Sequence, residues 1–136
     1  MPSRSGRMWL RPIRFDGAVP ELGTAPVEAV LLVHDREEVR SLMWDLVGIV
    51  RTDERLALAR GRIEEIAVQY DRLWRRCTPS AELVELRNVV QTALLIIRSA
   101  QRRKESRGLH HNVDYPYRDN ERCLRDTVLS RAGGPS

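Results

Sequence analysis

Between Leu56 and Cys77 the apolar residues Leu56, Ala59, Ile63, Ile66, Tyr70, Leu73 and Cys77 recur in alternating steps of three and four. Only an α-helix places residues at that spacing in one line, because a strand's two-residue period would scatter them over both faces. A seam this narrow needs a partner. The stretch from Leu83 to Ala100 supplies one, with Leu83, Leu86, Val90, Ala93, Ile97 and Ala100 in the same rhythm. Val84, Val89, Leu94 and Ile96 widen its apolar face beyond half the circumference, which predicts two packing neighbours. The second neighbour is a stripe upstream, Val39, Leu42, Met43, Leu46, Val47 and Val50, again on one helical face.

Start and stop signals divide these stripes. Asp35, with Glu38 three residues on, has the form of a capping box, so the first helix is expected to begin near residue 36 and run to about 50. Thr52, followed by Asp53 and Glu54, caps the next helix, over 53–76, and puts acids at its positive end. Thr78-Pro79-Ser80 then breaks the chain and opens a third helix over 81–106. Arg102, Arg103, Lys104 and Arg107 suit that helix's negative end, and Gly108 is the expected left-handed cap.

The predicted fold is all-α, a spectrin-like up-down-up three-helix bundle. Leu42, Leu46, Ile63, Ile66, Tyr70, Leu86, Val90, Ala93 and Ile97 are its expected core. Residues 1–34 hold Pro2, Pro12, Pro20 and Pro26 with Gly6, Gly17 and Gly23, a density of breakers that reads as an irregular N-terminal arm or linker. Within it, Ala29 to Val33 alone has strand-like content. The bundle with a docked tail is assigned to residues 35–117, the tail's Tyr115 being held extended by Pro116. Residues 118–136 are expected to be a flexible C-terminal tail, with weak helical turns between Cys123 and Leu129.

Composition removes whole classes of function. At 136 residues with 42% hydrophobic and 31% charged residues, the chain has the balance of one globular domain. Its longest apolar runs, Ala29–Val33 and Ala93–Ile97, fall far short of the ~20 residues that span a bilayer, so no membrane segment is expected. The net charge of +4 comes from 23 basic and 19 acidic residues interleaved along the chain, which argues against a continuous phosphate-binding face, and a nucleic-acid partner is not expected. Cys77 and Cys123 lack any pairing motif, and a reducing, cytoplasmic setting fits them.

No G-x-G-x-x-G, P-loop or G-x-S-x-G occurs. The chain therefore carries none of the backbone cradles that hold dinucleotides or phosphates, and it is expected to bind no cofactor on its own. The densest chemistry is Glu105-Ser106-Arg107-Gly108-Leu109-His110-His111, where imidazoles adjoin a carboxylate and a guanidinium. Without a nucleophile it reads as a helix end with a docked loop rather than as an acid-base site, and adjacent His110 and His111 point too differently to share a metal. No catalytic and no metal-binding residue is assigned. Trp9, Trp44 and Trp74 are expected in core or hinge packing.

Several separate blocks nonetheless fall in a familiar order. Met43-Trp44-Asp45-Leu46-Val47-Gly48-Ile49-Val50-Arg51-Thr52, Glu85-Leu86-Arg87-Asn88, Arg103 through His110, and Asp114-Tyr115-Pro116 resemble the C-terminal helical domain of the L-aspartate oxidases, within the succinate dehydrogenase and fumarate reductase flavoprotein superfamily. The Glu-Ser-Arg-Gly-x-His and Asp-x-Pro elements are similar to those across the superfamily, and the Met-Trp-Asp block is closer to the aspartate oxidases. One departure stands out: Asn112 occupies the place where the succinate and fumarate enzymes carry an arginine.

The resemblance implies an FAD enzyme that oxidises L-aspartate to iminoaspartate in de novo NAD synthesis. It also implies flavin-binding and capping domains, in cis or as a separate chain, as the bundle's partners. Those domains carry the family's main cofactor contacts and its substrate residues, so FAD belongs to the complete enzyme. On this reading the bundle is a structural support, inactive alone, with Arg107, His110 and Tyr115 as candidate docking residues. The alternative is a stand-alone helical interaction module whose wide third-helix face binds a partner or a second copy as a homo-oligomer.

Overall fold

A computed structural model of the chain describes residues 29–129. Three long helices dominate it: α1 over Ala29–Val47, α2 over Asp53–Arg76 and α3 over Ala81–Arg102. Two short strands, β1 at Val50–Arg51 and β2 at His111–Asn112, and one turn of helix, α4 at Asn120–Cys123, complete it. The all-α bundle expected from the stripes is what forms.

Each seam buries as its spacing requires. On α2, Leu56, Ala59, Ile63, Ile66 and Tyr70 are buried, and on α3 so are Leu83, Leu86, Val90, Ala93, Leu94, Ile97 and Ala100. Thr52 and Ser80 cap the two helices, their side-chain oxygens accepting from Arg55 N at 3.1 Å and Leu83 N at 3.2 Å. The connection between α2 and α3 spans only Cys77 to Ser80, so the helices run antiparallel and zip their seams together. Arg36 on α1 reaches Glu85 near the start of α3 at 2.7 Å, and Arg62 on α2 reaches Glu38 at 2.8 Å, which sets the up-down-up order. Such bridges use the interleaved charges within the bundle.

The structure corrects the sequence reading at four places. First, α1 begins at Ala29, not near 36, so residues 29–34 leave the supposed arm and the strand-like stretch is helical. Leu32 lies two turns ahead of Val39, and both are buried, at 2% and 1% exposure. Burial against the bundle thus overrides the β-preference of a short valine-rich run. Residues 1–28 lie outside the described part. Second, α1 turns a different edge inward: Leu32, Val39 and Val47 are buried, whereas Leu42 and Leu46 are only partly covered.

Third, α3 stops at Arg102, before residue 106, because the residues beyond it are recruited by the tail. Gly108 serves that tail instead, at φ +57 in a tight turn where Arg107 and His110 exchange backbone hydrogen bonds of 2.8 and 3.1 Å. Fourth, residues 118–129 are held rather than loose. Arg103 donates to the carbonyls of Cys123 and Arg125, and Arg102 to that of Val128. The short helix is at 120–123, a few residues ahead of its expected place.

Trp74 does pack on the core, its ring 5.8 Å from Tyr70 with Arg87 stacked 5.5 Å above it. Trp44 does not, being 85% exposed, and Trp9 lies outside the described residues. Cys77 and Cys123 are both free thiols. No described helix is long and apolar enough to cross a membrane.

Truncating the seam should be severe and truncating Trp44 mild. Ile63, wholly enclosed between helices, should cost about 2–5 kcal/mol as Ile63→Ala in urea unfolding, the range for a large-to-small core change. Trp44→Ala should stay within about 0.5 kcal/mol, as surface changes do. Equal losses would show that the seam is misassigned.

Candidate functional site

The most densely bonded region is the joint where the tail crosses the bundle's end, and it starts with a helix cap. Thr52 opens α2, which leaves Asp53 in the first turn with its carboxylate facing outward beside the positive helix end. Three donors from the tail side converge on that carboxylate: Lys104 Nζ at 2.6 Å, Tyr115 OH at 2.9 Å and Asn112 Nδ2 at 3.2 Å. In return the Asp53 backbone N–H donates to Asp114 Oδ2 at 2.7 Å. Partial burial alone would raise the Asp53 pKa. The hydrogen bonds from Lys104, Tyr115 and Asn112 outweigh it and hold the carboxyl below its ordinary range.

Asn112 is fully buried, and its amide serves two masters, with Oδ1 accepting from Asp114 N at 3.0 Å while Nδ2 reaches Asp53. Its backbone lies in β2, which pairs in parallel with β1 so that Val50 faces His111 and Arg51 faces Asn112. Ser106 Oγ closes the loop by accepting from Asn112 N at 2.9 Å and donating to the Tyr115 carbonyl at 2.8 Å.

A second carboxylate anchors the far side. Glu105 is wholly enclosed, with Arg103 on Oε1, Arg107 Nε and Nη2 at 2.9 and 3.0 Å, and the Asp119 backbone N–H at 2.9 Å. The Arg107 fork is the main cause that draws the Glu105 carboxyl down to about 2, against the opposing effect of burial. Arg107 also donates to Asn120 Oδ1 at 2.6 Å, which carries the network into α4.

His110 sits between these anchors. Its Nδ1 lies 2.7 Å from Arg51 Nη1, and a guanidinium only donates, so Nδ1 accepts and the ring proton is on Nε2. That proton goes to the Arg103 carbonyl at 3.1 Å. Burial, and then the charges of Arg51 and Arg103, push the imidazole's pKa down, so the ring is neutral in this joint. Arg51 in turn caps α1 by donating to the carbonyls of Val47 and Gly48 at 3.2 and 2.8 Å.

Arg107, His110 and Tyr115, the three docking candidates, are thus brought together, each turned onto this chain's own α2, β1 and tail. Sequence reasoning missed Asp53 as the receiver of Tyr115, together with Lys104 and Asn112, and read it as a helix-cap acid only. It noted Asn112 only as a departure from the superfamily's arginine and gave Ser106 no role; the Asn112 bond to Asp53 spans 59 positions, whereas Ser106 bonds within the tail. The arrangement is a lock: every carboxylate in it is matched by donors, and the one imidazole has both nitrogens engaged.

The described residues also do not fit a flavin dinucleotide. Asp114, Thr52 and Ser80 already take amides in the first turns of α2 and α3, and the concavity beside the tail sets Asp114, Asp119 and Glu121 against Lys104 and Arg118, an excess of acids where a pyrophosphate needs donors. Elsewhere, His34, Asp35 and Glu38 on α1 bring donor atoms within 4.8 Å of one another, and Glu38 is already bridged to Arg62 of α2.

Two of the joint's titrating groups give the domain a stability contribution with a fixed sign. Glu105 has a folded pKa near 2, below its ordinary 4.5, so its contribution is complete above about pH 5 and is lost as pH falls toward 2. His110, also depressed, favours the folded state above its ordinary 6.5 and removes stability as pH drops below that. Thermal unfolding of Glu105→Gln should therefore show a lower midpoint at pH 7 and a shallower fall between pH 5 and 2 than the parent chain. A parallel fall in both would contradict the lock.

With this geometry in place, comparison with known proteins becomes informative. Residues 36–135 match the family described as fumarate reductase flavoprotein C-term. The chain is 46% identical to an L-aspartate oxidase of Pseudomonas aeruginosa over 102 residues, covering 75% of this chain and 19% of that protein. It is 49% identical to the Yersinia pestis L-aspartate oxidase over 89 residues, 65% of this chain and 17% of that one. A chloroplastic L-aspartate oxidase of Nicotiana tabacum is 39% identical over 87 residues, 60% and 14% respectively. The chain spans about a fifth of the length of the curated relatives it matches. The matched stretch holds every lock residue from Arg51 to Asn120, and the chain belongs to the family of fumarate reductase flavoprotein C-terminal domains.

Proposed function

We propose that this chain acts as the helical support of an FAD-dependent L-aspartate oxidase, which oxidises L-aspartate to iminoaspartate in de novo NAD synthesis. The observation that carries the reading is the match of residues 36–135 to a flavoprotein C-terminal family whose similar members are named L-aspartate oxidases. FAD supplies the hydride-accepting chemistry in such an enzyme, and on this reading it is held by flavin-binding and capping domains, joined in cis or supplied as a separate chain. The cytoplasm is its expected compartment, in keeping with two free cysteines.

The physical task of the chain is rigidity. A helical bundle with short connections presents a fixed surface, and the Asp53 and Glu105 anchors hold the tail to it, so a flavoprotein body resting on both meets one solid rather than a bundle and a loose strap. Arg107, His110 and Tyr115 contribute by fixing the tail's shape and not by touching substrate.

The test is exchange. A Pseudomonas aeruginosa L-aspartate oxidase whose matching segment is replaced by residues 36–135 of this chain should retain FAD and form peroxide in an aspartate-dependent way. The 136-residue chain alone should leave the spectrum of added FAD unchanged. Loss of FAD from the exchanged enzyme would contradict the reading, as would a flavin bound by the chain alone.

A further inference from the structure

The three tail residues that the sequence offers for docking are engaged within the chain, so a body seated on this bundle must hold it through other residues. An apolar concavity runs between α1 and α3. Val39, Met43 and Trp44 form one wall, Val89, Ala93 and Ile96 the other, and the groove encloses about 620 Å³. Its charged rim residues are already matched, Arg40 to Glu37 at 3.0 Å and Glu85 to Arg36 at 2.7 Å, so the groove offers no free charge to a ligand.

Trp44 stands at its edge 85% exposed, the most open large hydrophobic side chain among the described residues. The apolar surface continues past Gly48 onto Ile49 and Val50, which border the tail at β2. A contiguous patch of this kind on a soluble domain marks a contact surface. Both walls lie within residues 36–135, the part shared with the flavoprotein family, and relatives carry about four-fifths of their length outside it.

We propose that the α1–α3 groove, with Trp44 and Ile96 on its opposite walls, seats an uncharged apolar segment of the flavoprotein body, with Trp44 as the anchor. The inference rests on the reading under Proposed function and adds the surface through which it operates. Gly48 borders this surface: a Cβ there would meet the Trp44 carbonyl at 3.2 Å, tight enough that the end of α1 would have to give by a few tenths of an ångström. The anchor is a large aromatic residue bordering an apolar groove whose rim charges are matched, the residue type that most often dominates binding.

Hydroxyl-radical footprinting tests it in the exchanged Pseudomonas aeruginosa enzyme described above and in the 136-residue chain. Trp44 should oxidise about tenfold more slowly in the exchanged enzyme than in the chain alone, the scale of a buried aromatic anchor, while Leu58, exposed on α2, reacts equally in both. Trp44→Asp should keep the chain's far-ultraviolet helix signal, since the side chain is exposed, yet return Met43 and Ile96 in the exchanged enzyme to the rate of the chain alone. An enzyme that holds FAD and oxidises aspartate with Trp44 fully reactive would overturn the groove and leave the functional reading standing. Loss of both FAD and activity with Trp44 open would remove the two together. Protection of Trp44 in the chain alone, growing with protein concentration, would assign the groove to a second copy and overturn the proposal.

Discussion

The carboxylate of Asp53 joins two structures that have little else in common. One is a helical bundle that forms by matching apolar seams, and the other is a polar tail with almost no core of its own. Asp53 belongs to the first by position, in the opening turn of α2, and to the second by bonding, through Lys104, Tyr115 and Asn112. The positive end of a helix favours an anion there whatever its partners. The same charge that begins the helix thus fixes the tail, and the two-residue strands β1 and β2, too short to persist by themselves, are held in register by it. Glu105 repeats the device on the other side with two guanidiniums and the Asp119 amide.

How much of this was legible in the sequence follows from the range of the interactions. The seams of α2 and α3 could be read because helical burial obeys a local period, and Ile63, Ile66, Tyr70, Leu86, Val90, Ala93 and Ile97 are buried as their spacing demands. Caps were legible for the same reason, since Thr52 and Ser80 act within three residues. The start of α1 was not, because Asp35 and Glu38 imitate a cap while lying inside a helix that begins at Ala29. What decides there is the contact of Leu32 with the bundle, a tertiary fact. The lock was hidden for a stronger reason: Asp53 and Tyr115 are 62 positions apart, and no local pattern ties them. Its parts could be suspected from Arg103, Glu105 and Arg107 alternating in charge, but not its centre.

The division of surface is as informative as the lock. Polar residues that look available for a partner, Arg107, His110 and Tyr115, are consumed within the domain, whereas Trp44, an aromatic residue expected inside, stands open to solvent. The charges at the joint are matched within the chain, and the apolar groove between α1 and α3 is the surface proposed above for the flavoprotein body.

The central claim is that the tail and bundle form one cooperative body. Native-state hydrogen exchange on the 136-residue chain measures this directly. The amides of His111, Val113 and Asp119, bonded to Ile49, Arg51 and Glu105, should exchange with the same opening free energy as those in the middle of α2 and α3, and lose that protection together with the helices as urea is added. Exchange of these three amides many times faster than the helix cores, and indifferent to urea, would show that the tail opens by itself and that the lock does not hold.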